Sequence, residues 1–119
     1  MRLLIVDDSV VVRRRIHREL CLPDVHIVGS ATDGHHALQL ARATQPDVVT
    51  MDLTMPGMDG VECIPRLLLE APHARILVIS ALADKATAIE ALRRGARGFL
   101  PKPFTTEQLN LAFTELMAG

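Results

Sequence analysis

The chain has no tryptophan and no tyrosine, and Phe99, Phe104 and Phe113 are its entire aromatic content. A surface that holds single-stranded nucleic acid by stacking bases on rings is therefore poorly supplied. Cysteine is nearly as scarce. Cys21 and Cys63 fall on the first and third expected helices, which cover opposite faces of a doubly wound sheet, so a disulfide between them is not expected. Long apolar runs are missing as well. After Met1-Arg2 only four apolar residues precede Asp7-Asp8, too few for a secretory core, and no run approaches the ~18 residues of a membrane span. A cytoplasmic protein with no membrane insertion is expected. Thirteen basic residues stand against 14 acidic ones, a net charge of -1, so nothing draws the chain generally toward nucleic acid, and charge-driven chemistry has to be local.

What is present is a core. At 119 residues and 49% hydrophobic content the chain is long enough for one domain that buries roughly two thirds of its unfolded surface. Val48, Val49 and Met51, with only Thr50 between them, form a run too apolar for a strand solvated on one side, and it ends on Asp52 and a Pro56-Gly57 turn. In an open parallel sheet the carboxyl ends of the strands line the crevice where ligands bind, so Asp52 stands where chemistry is expected. The alternative role, a turn-capping aspartate, is a common one.

The remaining elements alternate. Leu3 to Val6 is a second doubly buried run, ending on Asp7 and Asp8. Ser9 then caps a helix striped by Val12, Ile16 and Leu20 that stops before Pro23. Arg13-Arg14-Arg15 fans around that helix and reads as a solvated face. Val25 to Gly29 is a short second strand, and Asp33-Gly34 opens a helix with Ala37, Leu38, Leu40 and Ala41 on its apolar face. His17 and Cys21 at i, i+4 have no further ligands, and His35 and His36 point apart, so no zinc site is expected. After Asp59 a third helix carries Val61, Ile64, Leu67 and Leu68, with Pro65 expected to loosen or kink it. Arg75 to Ser80 is the fourth strand. Asp84 caps a fourth helix with Ala88, Ile89 and Leu92 inward and Gly95 closing it. Gly98 to Pro101 is an edge strand, since Pro101 cannot donate to a ladder. Thr105 and Gln108 form a capping box for a last helix striped by Leu109, Phe113 and Leu116. The expectation is a flavodoxin-like, doubly wound α/β fold, with a five-stranded parallel sheet in the order 2-1-3-4-5 and five helices on both faces.

That order places Asp7-Asp8, Asp52, Ser80 and Lys102 together at adjacent strand ends. Hard oxygen ligands with clustered negative charge suit Mg²⁺, which takes one or two carboxylates and keeps several waters. A lysine beside one of those aspartates completes a phosphoryl site, with a carboxylate nucleophile, cations for the equatorial oxygens and a hydroxyl to bond one of them.

With these residues the chain resembles the receiver domain of two-component response regulators, through Ile5-Val6-Asp7-Asp8-Ser9, Asp52 with Met55-Pro56-Gly57-Met58-Asp59-Gly60, Val78-Ile79-Ser80-Ala81, and Lys102-Pro103-Phe104. The likeness covers essentially the whole length and implies a single receiver unit over residues 1–119. Through Val49-Thr50-Met51-Asp52-Leu53-Thr54-Met55-Pro56 it is most similar to the single-domain chemotaxis regulators, with the chemotaxis methylesterase receiver or a DNA-binding regulator as alternative parent proteins. The resemblance implies that Asp52 accepts a phosphoryl group from a sensor histidine kinase, and that Asp8, Asp52 and the Thr54 carbonyl bind Mg²⁺ while Asp7 holds a metal water. It implies that Lys102 and Ser80 contact the phosphoryl group with Ala81 beside them, that Phe99 is the aromatic that follows Ser80, and that Lys102-Pro103 is cis. The output face would be the fourth helix, fifth strand and fifth helix. The downstream partner would be a protein effector, with the flagellar motor switch as one candidate, and the chain a monomer that is able to dimerise on phosphorylation. Catalysis would be confined to its own phosphorylation and dephosphorylation. A metal-dependent phosphatase acting on outside substrates is disfavoured because Thr54, two residues past the nucleophile, is neither acid nor base.

Overall fold

A computed structural model describes every residue except Cys21, Ala83 and Gly119. Five strands alternate with five helices: β1 (Arg2–Val6), α1 (Val10–Glu19), β2 (His26–Ala31), α2 (Gly34–Thr44), β3 (Val48–Met51), α3 (Gly60–Glu70), β4 (Arg75–Ser80), α4 (Lys85–Arg93), β5 (Gly98–Pro101) and α5 (Thr106–Ala118). All strand pairings are parallel and the order is β2-β1-β3-β4-β5, as expected from the alternation of apolar runs with helical stripes.

Side chains alternate across the sheet and divide the core in two. Leu4, Val6, Val49, Met51, Ile76 and Val78 face α2, α3 and α4, which contribute Ala37, Ala41, Cys63, Ile64, Leu67 and Ala91. Leu3, Ile5, Val48, Leu77 and Ile79 face the other way, onto Ile16 of α1 and Leu109, Phe113 and Leu116 of α5. Thr50 is also buried, and its hydroxyl has no hydrogen-bond partner among the described residues, a local cost of about 1–3 kcal/mol for an orphaned polar group.

The helix starts follow the sequence signals. Side chains of Ser9, Asp33, Asp59 and Asp84 accept N–H bonds from the first turns of α1 to α4. Thr105 and Gln108 exchange side-chain bonds at the start of α5, with the Thr105 N–H donating to Gln108 Oε1 and the Gln108 N–H donating to Thr105 Oγ1. Gly95, at φ +121°, ends α4 with its N–H on the Leu92 carbonyl while the Ala96 N–H reaches the Ala91 carbonyl. Pro101 lies on β5, an edge strand, and the Lys102-Pro103 bond is cis.

Three expectations are corrected, and the setting of Pro65 is now seen. β2 runs over His26–Ala31, displaced toward the C-terminus from Val25 to Gly29, because an exposed edge strand lacks the apolar period that marks a boundary. α3 spans Gly60–Glu70 with Pro65 inside it, so the N–H that Pro65 lacks is carried by a helix that buries Cys63, Ile64 and Leu67 on its core side. On α4, Ile89 and Leu92 point outward, 45% and 47% exposed, and Ala91 is fully buried. Ala91 meets the core with half-buried Ala88 on the same face, and the larger pair lies about 100° away around the helix. The arginine run is not uniformly solvated either. Arg13 donates to the Asp7 carbonyl at 2.7 Å, and Arg15 lies 4.3 Å above the Phe104 ring and bonds Glu19 at 2.8 Å. Cys63 is a buried free thiol that burial pushes up to about 11. Its expected relation to Cys21, and the His17–Cys21 pair, involve a position outside the described residues.

Glu19 ties the end of α1 to α5. Arg15 and then the Thr106 hydroxyl hold its carboxyl down to about 2, from an ordinary 4.5. A depressed carboxylate stabilises the fold at pH values above its unfolded value, and that contribution is lost as pH falls through the folded one. The melting-temperature gap between wild type and Glu19→Gln should therefore be complete above pH 4.5 and close as pH approaches about 2. A gap of the same size at both ends would show that the Glu19 charge is not involved.

Candidate functional site

Asp7, Asp8, Asp52 and Lys102 sit one or two residues beyond strand ends, held by continuations of the ladders. The Asp7 N–H donates to the Ala31 carbonyl at 3.0 Å, the Asp52 N–H to the Val6 carbonyl at 2.9 Å, and the Lys102 N–H to the Ser80 carbonyl at 3.0 Å. Three carboxylates thereby converge. One oxygen from each of Asp7, Asp8 and Asp52 lies within 4.8 Å of the others. Asp7 and Asp52 are both buried, 2% exposed, and Asp8 opens to solvent.

Lys102 crosses to them from the end of β5. Its Nζ is 2.9 Å from Asp7 Oδ2 and 3.4 Å from Asp52 Oδ2. Three carboxylates facing one ammonium leave negative charge over, and charge in a poorly hydrated site is costly without a partner. Burial pushes the Asp7 carboxyl above the usual carboxylate range, against the pull of Lys102 and of the Ser9 N–H, which donates to Asp7 Oδ1 at 2.8 Å. The Thr54 N–H and hydroxyl donate to Asp52 Oδ1 at 3.2 and 3.1 Å. Oδ1 of Asp52 is thus turned toward its own loop and Oδ2 toward Lys102.

A hard-oxygen donor set with surplus charge fits a divalent cation such as Mg²⁺ or Ca²⁺, and the acid trio could hold one. Ser80 is fully buried at the end of β4, with its hydroxyl accepting from the Leu82 N–H at 3.1 Å. Ala81 follows it at the surface. Phe99 lies on β5, paired in register with Val78, half-buried against the α2, α3 and α4 side of the core. The expected set is thus divided. Asp7, Asp8, Asp52 and Lys102 form one cluster with Thr54 bonded to it, and Ser80 and Phe99 lie on the neighbouring strands.

Two supporting residues escaped sequence reasoning. Arg13 fixes the Asp7 carbonyl, a role concealed among three consecutive arginines. Gly60 lets α3 start against the strand end, because a Cβ there would lie 2.5 Å from Leu53 Cα and 2.9 Å from the Asp52 carbonyl oxygen. Backbone cannot yield as a flexible side chain does, so the loop that shapes Asp52 needs a glycine at this point. The Asp59-Gly60 pair at a helix start was the available signal.

Comparisons with known proteins agree with this geometry. The family model described as the response regulator receiver domain matches residues 3–114. The chemotaxis protein CheY of Thermotoga maritima is 39% identical over 103 residues, covering 87% of this chain and 86% of that protein. The protein-glutamate methylesterase/protein-glutamine glutaminase of the same organism is 40% identical over 106 residues, 87% of this chain but 30% of that protein. Among solved structures, the CheX-CheY-BeF3-Mg complex from Borrelia burgdorferi superposes with a TM-score of 0.92 at 29% identity, covering 98% of this chain and 89% of that one. With five parallel strands in this order and acids at the ends of β1 and β3, the chain belongs to the receiver-domain family of response regulators.

Proposed function

We propose that Asp52 is the phosphoacceptor of a signalling switch, and that residues 1–119 act together as its receiver unit. The observation that carries this is the setting of Asp52: buried at the end of the central strand, with Lys102 Nζ 3.4 Å from Oδ2 and two further carboxylates within 4.8 Å. An Asp52 oxygen attacks the phosphorus of a phosphohistidine or a small acyl phosphate. The O–P bond forms as the bond to the leaving group breaks: a phosphohistidine ring already protonated on its other nitrogen leaves as neutral imidazole, and an acyl phosphate leaves as its carboxylate. Lys102 moves from bridging two acids to neutralising the transferred oxygens, and the Ser80 hydroxyl bonds one of them. Asp8, Asp52 and the Thr54 carbonyl would hold Mg²⁺, with Asp7 bonding a water on it. When bound, the ion would supply positive charge in addition to that of Lys102.

The readout follows from where Ser80 lies. Drawing its hydroxyl toward a phosphoryl group takes it from the Leu82 N–H and alters the loop between β4 and α4. Phe99, half-buried on the neighbouring strand, turns into the space released. Only such a differential contact shifts a population. The face of α4, β5 and α5 then carries the signal to a protein effector, with Ile89 and Leu92 already exposed on it. Similarity to the Thermotoga maritima chemotaxis protein supports a role in motility control, with a histidine kinase upstream and the flagellar motor switch among candidate targets. The methylesterase likeness supports a second reading, in which these residues are the receiver part of a longer regulator that acts through another domain.

Incubation with a small acyl phosphate and Mg²⁺ should add a single phosphoryl group to the wild type by intact mass and none to Asp52→Asn. Equal labelling of the variant would place the acceptor elsewhere. Mg²⁺ should also stabilise the fold. At ten times its Kd a native-state ligand adds about 1.4 kcal/mol, or about 5 °C in a domain of this size. Asp8→Ala removes one of three mutually repelling acids, so it should melt no lower than wild type without metal and lose the Mg²⁺ response. A wild type indifferent to Mg²⁺ would contradict the assignment.

A further inference from the structure

α1 is the helix whose composition the phosphoryl switch leaves unexplained. Of its ten residues only Ile16 is buried, and four are arginines. The arginines do not act alike. Arg13 is held on the Asp7 carbonyl and Arg15 on Phe104 and Glu19, but Arg14 makes no hydrogen bond or ion pair with any described residue. It instead lines a cavity of about 480 Å³ between α1 and β2, with Ile5 as floor, Val10 and Ile27 as apolar walls, and His17 and Ser30 at the rim. Val10 is 47% exposed and Ile27 36%. A second space of about 310 Å³, walled by Leu20, Leu22 and Val25, shares His17 and Ile27 with the first, and Arg18, whose guanidinium lies 3.3 Å from Glu19, stands beside Arg14 and His17 along α1. No residue lining these spaces is acidic.

An apolar floor beside the guanidiniums of Arg14 and Arg18 and the His17 imidazole is a mixed demand. We propose that the groove between α1 and β2 is a docking site for an acidic segment of a partner protein. Its carboxylates would meet Arg14, His17 and Arg18, and an apolar side chain would cover Ile5, Val10 and Ile27. A nucleic acid would meet the guanidiniums but leave the aliphatic walls uncovered, and no Phe, Tyr or Trp among the described residues lines the groove to stack a base. The volume lies within the range of sites that bury small ligands or a few side chains. β2 and β5 are opposite edges of the sheet, so this site is separate from the α4, β5 and α5 face. It is not isolated from the chemistry, because Arg13 both lines the cavity and holds the Asp7 carbonyl.

The test is selection of a displayed library of random 12-residue peptides on the folded protein, with the exposed double variant Arg14→Glu, Arg18→Glu as counter-target. Circular dichroism and Mg²⁺-dependent labelling of Asp52 serve as checks that the variant is folded. The expected peptides are rich in Asp and Glu around one or two Leu, Ile or Phe residues, and bind wild type at least about tenfold tighter than the variant. Synthetic versions should shift amide resonances in residues 10–18 and 25–30. Peptides without acidic residues, equal binding to the variant, shifts confined to α4, β5 and α5, or displacement by a single-stranded oligonucleotide at matched concentration would each overturn the proposal. Arg14 contacts none of the acid trio, so this outcome and that of Asp52 labelling are independent.

Discussion

The ammonium of Lys102 stands between two buried carboxylates, 2.9 Å from Asp7 and 3.4 Å from Asp52, and the surrounding architecture keeps it there. Buried acids this close repel, and removing the single cation would strand both, a loss of about 3–5 kcal/mol when a buried charge is left alone. The sheet meets this demand by topology. β1 and β3 are neighbours, so their acids meet without long side chains, and β5 lies far enough across for a lysine to span the distance. One cation for three acids still leaves the site underneutralised, which suits a divalent ion, and under the proposed function that ion and Lys102 together would supply the positive charge a phosphoryl group on Asp52 needs.

The same constraint explains the tightness of the chain around the strand ends. Asp52 has one oxygen occupied by the Thr54 N–H and hydroxyl, and its carbonyl is approached so closely by α3 that only glycine fits at position 60. Asp7 is fixed through its carbonyl by Arg13 and through Oδ1 by the Ser9 N–H, where the loop turns into α1. Asp8 alone is left exposed. Such pinning reduces the rearrangement needed when charge arrives, as a preorganised electrostatic site requires.

Much of this was legible in the sequence, for physical reasons. Doubly buried strands show as unbroken apolar runs, and Asp7, Asp8, Asp52, Ser80 and Lys102 could be placed at strand ends because each terminates such a run. Helix starts were legible through Ser9, Asp33, Asp59, Asp84 and the Thr105–Gln108 box, whose signals are local. Elements set by tertiary contact were not. On α4 hydrophobicity placed Ile89 and Leu92 inward beside Ala88, whereas the small Ala91 is the residue that is buried and the larger pair is exposed. β2 is an exposed edge with no period to mark its ends. The Arg13 bond to a main-chain carbonyl leaves no trace in composition. Distances from Lys102 to acids on two other strands likewise depend on the assembled sheet.

Receiver-family membership rests on the whole chain, but the account of the site rests on one competition, in which Lys102 and a divalent ion both neutralise Asp7 and Asp52. The most direct measurement is the Mg²⁺ affinity of Lys102→Met against wild type, by calorimetry at neutral pH and without phosphodonor. Removing the competing ammonium should tighten Mg²⁺ binding by at least about fivefold, about 1 kcal/mol, while abolishing the advantage of the site in accepting a phosphoryl group. Unchanged or weaker binding of Mg²⁺ would contradict the electrostatic account.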